Sequence, residues 1–146
     1  MRPDETQLMR AAERSLELCG LAVRVEARFV EDAPDVSDIW FEGDDDDWPE
    51  VLISYIRGAE DVRIIMGDFI FESVPYDAVP PFIQKIFLGD YDFTASKILF
   101  GRRRSMTVEV AGQKYATSAG SRRNETLDSW ENAALRRTFD ARGRLD

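Results

Sequence analysis

Few residue types in this chain could do chemistry, and those few are concentrated. Glu42-Gly43-Asp44-Asp45-Asp46-Asp47 is the densest run of carboxylates, with Trp48 directly after it. Clustered carboxylates bind calcium, but an EF-hand loop spaces its ligands at alternate positions, puts glycine sixth and closes with glutamate. Consecutive aspartates do not fit that spacing. They read as a solvated, self-repelling loop tip or as a patch that contacts a partner. The second concentration is Gly101-Arg102-Arg103-Arg104-Ser105, a basic cluster in an acidic chain. It reads as a charged hairpin loop that keeps strand ends soluble, or as a clamp for an anion or carboxylate, which suits the planar guanidinium fork.

Beyond these runs the chemistry thins out. The chain has no histidine, the commonest general base and metal ligand. Its single Cys19 cannot form an internal disulfide or a thiolate zinc site, and it lies on the apolar face of a helical stretch. No phosphate-binding loop, dinucleotide fingerprint or nucleophile elbow occurs. With 28 acidic residues, paired carboxylates are too common to indicate a catalytic dyad. No enzymatic activity, cofactor or metal is expected.

Composition narrows the class further. At 146 residues, 44% hydrophobic and 11% aromatic, the chain is long and apolar enough for one domain with its own core. The formal net charge of −9 disfavours nucleic acid as a ligand and favours a basic partner. No apolar run reaches the roughly 18 residues that a membrane span needs. Asp4 and Glu5 come early and no apolar signal core follows, so a cytosolic location is expected.

These residues must be positioned by elements that the hydrophobic periods define. Leu8, Ala12, Leu16 and Cys19 share a helical face over residues 4–19, with Gly20 as the stop. Leu21 to Val30 alternates cleanly, as a strand with one wet face does. Ile39-Trp40-Phe41 is a short strand running into the acidic loop. Val51-Leu52-Ile53 is apolar on both faces and so is expected centrally in a sheet. Residues 62–66 and 69–73 form a hairpin about Gly67-Asp68. Pro75, Pro80 and Pro81 precede a helix whose Val79, Phe82, Ile83, Ile86 and Phe87 align, with Asp77 as a cap and Gly89 as the end. The period then switches. Phe93 to Phe100, Met106 to Val110 and Gln113 to Ser118 read as strands, the last two joined at Ala111-Gly112. The fold class expected is α+β: a mainly antiparallel sheet of about six to eight strands, an N-terminal helix, and a second helix packed on one face. Residues 1–118 form the domain. Residues 119–146 are a linker, Gly120 to Thr126, and a helical tail that Trp130 and Phe139 dock on something.

The order Val74-Pro75, Phe82-Ile83-Gln84-Lys85-Ile86-Phe87-Leu88-Gly89, Gly101-Arg102-Arg103-Arg104 and Val108-Glu109-Val110-Ala111-Gly112-Gln113-Lys114-Tyr115 resembles small immunity proteins of bacterial polymorphic toxin systems. The resemblance implies a cytosolic α+β protein that binds a cognate toxin domain and blocks it, with no catalytic residues of its own. On this reading the partner is a toxin domain with a basic surface. The contacting residues are Glu42, Asp44, Asp45, Asp46, Asp47 and Trp48, with Arg102, Arg103 and Arg104 as a second patch. The alternative is a small-molecule-binding or enzymatic α+β domain with its site between sheet and helix. A third possibility is a homo-oligomeric subunit joined through the Trp130 segment.

Overall fold

The computed structural model describes residues 4–29, 32–45, 47–99, 101–122 and 126–143. Among these, eight strands form two antiparallel sheets and three helices accompany them. The first sheet is a meander, β1 (Val23–Phe29), β2 (Val36–Gly43), β3 (Val51–Ile56), β4 (Asp61–Met66) and β5 (Phe69–Pro75), its strands in chain order. The second holds β6 (Asp92–Ile98), β7 (Gly101–Val110) and β8 (Gln113–Arg122). The helices are α1 (Glu5–Leu18), α2 (Val79–Leu88) and α3 (Ser129–Gly143).

Local chemistry sets the helix ends. Asp4 and Gln7 close a capping box on α1: the Gln7 amide donates to Asp4 Oδ1 at 2.8 Å and the Asp4 amide donates to Gln7 Oε1 at 3.0 Å. A 3₁₀ turn at Tyr76–Ala78 feeds α2, so Asp77 lies inside that turn and the cap position is Ala78, with no side-chain cap bond. Pro80 and Pro81 fall in the first turn of α2, where an N–H has no helical partner. Gly89 ends α2 at φ 71°.

The core lies between these layers. α2 buries Val79, Phe82, Ile83, Ile86 and Phe87. Phe82 bridges the sheets, its ring 5.0 Å from that of Phe71 on β5 and 5.8 Å from that of Tyr115 on β8. α1 packs on α2, where Ser15 Oγ donates to Gln84 Oε1 at 3.0 Å and Gln84 Nε2 donates to Cys19 Sγ at 2.7 Å. Ile53, Ile64, Phe82, Ile86 and Val108 are fully enclosed and Val110 nearly so, whereas Val23 and Val25 on the edge strand are half-buried.

Two stretches differ from their sequence reading, and the C-terminal helix docks on this domain's own core. β7 begins at Gly101, so the arginine cluster lies within a strand and not in a hairpin loop. β8 continues to Arg122, through what reads as the start of a linker. α3 joins the core: Trp130 is 7% exposed and packs edge-on against Phe69 and Phe93, with ring centroids 5.9 and 5.7 Å away. The side chains of Phe29 and Phe139 lie outside the described set.

Candidate protein-interaction surface

The β2–β3 connection carries the acidic run. Asp45 organises it, its Oδ1 accepting from the Asp47 amide at 2.9 Å and its carbonyl accepting from the Trp48 amide at 3.1 Å. Asp44, Asp45 and Asp47 are exposed, while Asp46 lies outside the described residues. Among the described residues, no group of three or more Cys, Asp or Glu side chains is placed to hold a metal ion. Glu42, at the end of β2, is exposed and pairs with Arg24 at 2.7 Å. Trp48 turns away from the carboxylates. Its ring is half-buried, 6.5 Å from that of Phe87, with the Arg137 guanidinium 5.4 Å above it. A Cβ at Gly43 would lie 3.1 Å from the Cβ of Trp48, so glycine there lets the indole close over β2. Trp48 thus ties the loop to α2 and α3.

The three arginines of β7 do not form one clamp. Strand alternation puts Arg103 on the face opposite Arg102 and Arg104. Arg103 is exposed, Arg102 half-buried and Arg104 4% exposed. Arg104 donates to Glu131 Oε2 from Nη1 at 2.8 Å, and from Nη2 to Asp68 Oδ2 at 2.8 Å and the Gly120 carbonyl at 3.3 Å. Its guanidinium lies 5.4 Å over the Phe69 ring. Burial alone would lower its pKa. Hydrogen bonds and charge from Asp68 and Glu131 outweigh that and hold it above the ordinary arginine value. Arg104 therefore joins β7 to α3 and to the β4–β5 turn and is not presented to a partner.

The sequence reading missed a surface that the register assembles. On the outer face of the first sheet, Trp40 stands opposite Leu52, Leu52 opposite Ile65 and Ile65 opposite Ile70. These side chains form one apolar row across β2 to β5. Trp40, Leu52 and Ile65 are half-buried and Ile70 is 43% exposed. Directly opposed residues share a face, so Arg24, Glu26, Arg28, Asp38, Glu42 and Arg63 border the same surface. Arg24 pairs with Glu42, Arg28 with Glu26 at 3.1 Å, and Arg63 with Glu72 at 2.9 Å. The Arg28 guanidinium also lies 5.2 Å over the Trp40 ring. The Arg28 hydrogen bond and charge lower the pKa of Glu26, and Glu26 raises that of Arg28 in return. Asp38, Glu50, Asp44, Asp45 and Asp47 have no ion pair among the described residues, so the border is net acidic. A shallow depression of about 370 Å³ lies where Trp40, Arg24, Arg28, Glu42 and Glu50 meet. A signal for this face existed in the sequence. Trp40 stands between Asp38 and Glu42 at strand spacing, and Leu52 and Ile65 each stand in the middle of an apolar triplet, where one residue must face away from the other two.

The space between α2 and the sheets is filled by Phe71, Phe82, Ile86 and Val108. No described helix is long and apolar enough to cross a membrane. Comparison with protein-family models, curated proteins and solved structures finds no match.

Proposed function

We propose that this chain is a non-catalytic binding protein that covers and occludes a partner protein with the outer face of its first sheet. The observation that carries this reading is the apolar row Trp40, Leu52, Ile65 and Ile70, in register on the outer face, with Ile70 exposed and the other three half-buried. A partly exposed apolar stripe rimmed by charge is the composition of an interface, with a tryptophan as its anchor. The acids left over around it, together with Asp44, Asp45 and Asp47 on the adjoining loop, favour a basic partner and speed its approach. The resemblance over Val74–Ser118 supports a toxin domain as that partner, and a bacterial immunity protein acting in the cytoplasm as the biological role. The mechanism is steric, so no residue need act as acid, base or nucleophile.

The test takes the product of the gene adjacent to this chain's own and assays it for toxin activity with and without the chain. Equimolar protein should abolish the toxin's activity, with excess adding nothing further. Full toxin activity in a large excess of the chain would overturn the reading.

A further inference from the structure

β1 is an edge of the first sheet, and among the described residues no strand pairs with its outer side. The other edges lie against further elements, β5 against β8 and β6 against α3, while β1 touches α1 and its outer backbone edge pairs with no described strand. Edge strands are usually blunted by charge, a proline, a bulge or brevity. β1 has no proline and no bulge, and its charges, Arg24, Glu26 and Arg28, are of both signs. Its seven residues pair with β2 in unbroken register, from Val23 opposite Gly43 to Phe29 opposite Ser37. Its inner-face side chains are incompletely covered, with Val23 and Val25 half-buried and Ala27 exposed. Its outer face reads plus, minus, plus through Arg24, Glu26 and Arg28, all exposed.

We propose that β1 pairs antiparallel with β1 of a second copy, across a twofold axis perpendicular to the sheet. The two five-stranded sheets then become one. Directly opposed residues share a face, so only registers that match outer residues with outer residues are allowed. With Val25 on the axis, Arg24 faces Glu26 of the second copy, and the symmetry makes that contact twice. The same register sets Val23 opposite Ala27 on the inner face and covers apolar groups that one copy leaves open. Centring the axis on Glu26 would instead set Arg24 against Arg28 and Glu26 against itself. The charges on the strand therefore select the first of these registers over the second. The strand is complementary to its own sequence, which favours a second copy over a foreign strand. The net charge of −9 opposes approach at long range. At about 0.15 M salt the screening length is roughly 8 Å, so the groups on β1 itself decide the contact. A perpendicular twofold puts both apolar rows on one side of the joined sheet, giving a bivalent binding face. The pairing does not depend on the function proposed above.

The experiment is sedimentation equilibrium at about 0.15 M salt over roughly 1 to 500 µM protein, where weak dimers become populated. The native chain should show a monomer–dimer equilibrium. Arg24→Glu and Glu26→Arg each set like charges opposite one another and should raise the dimer dissociation constant about tenfold. The double variant R24E/E26R restores opposite charges and should return the constant to within about threefold of the native value. Thermal melts of each variant separate lost pairing from lost folding. A native chain that stays monomeric throughout, single variants that dimerise as the native chain does, or a double variant no better than the singles would each overturn the pairing.

Discussion

The Arg104 guanidinium is enclosed by Glu131 and Asp68, each at 2.8 Å, and by the Phe69 ring. Glu131 is 1% exposed, and its Oε1 also accepts from the Asp128 amide at 3.1 Å at the start of α3. Removing Glu131 leaves the buried Arg104 with only the exposed Asp68 as counter-charge. Glu131→Ala should therefore cost about 3–5 kcal/mol in urea unfolding, while R104M/E131L should recover most of that loss because no charge remains to be solvated. A cost below about 1 kcal/mol for Glu131→Ala would mean that Arg104 is satisfied without it. Tyr91 gives a test in pH. Burial pushes its phenol above the ordinary value, although the charge and hydrogen bond of Arg137 pull it back. Its hydroxyl accepts from Arg137 Nη2 at 3.0 Å. A folded pKa above the unfolded one makes the stabilisation complete below about pH 10 and loses it as pH rises through the folded value. Stability measured from pH 8 to 11 should fall at the alkaline end, and Tyr91→Phe should remove that part of the fall.

At the scale of elements, Ala111-Gly112 joins β7 to β8 with φ of 51° and 82°. Both values are positive, the pattern of a hairpin turn that prefers Asn-Gly. Alanine in the left-handed region pays for its Cβ. Ala111→Asn should raise unfolding stability by about 0.5–1 kcal/mol, and no gain would mean that the turn relaxes in solution. This turn was legible in the sequence, as were the helix ends at Gly20 and Gly89 and the Gly67-Asp68 hairpin, because glycine marks such backbone locally. The start of β7 was not. Three consecutive arginines mask a strand's alternation, and only contacts 27 and 36 residues away, to Glu131 and Asp68, show that the third is buried. The reach of β8 to Arg122 was hidden similarly, since Ala119-Gly120-Ser121 carries turn composition and is held by its ladder to β7. Register adds further local detail: Glu72 and Ser73 lie opposite the single Arg63, a bulge that puts Ser73 at φ 57°.

At the scale of the molecule, the α+β class and the antiparallel sheets followed from hydrophobic period, because one-sided alternation demands a layer on one face and solvent on the other. The division into two sheets did not, since a meander gives no sign in sequence of where hydrogen bonding stops. The proposed binding face was half legible. The acidic loop was evident from composition, but Trp48 and Arg104 are drawn into the fold. Trp40, Leu52, Ile65 and Ile70 come from four strands and meet only through register. Such a surface should bind through its apolar centre and be steered by its acidic rim. For the partner proposed above, association followed by surface binding at two ionic strengths separates these contributions. Asp44→Asn, Asp45→Asn, Asp46→Asn and Asp47→Asn combined should slow association at low salt and change dissociation little. L52E/I65E, checked for an unchanged melt, should weaken the complex about a hundredfold or more, mainly through faster dissociation. Binding of L52E/I65E with native rates at both ionic strengths would contradict the assignment of this face.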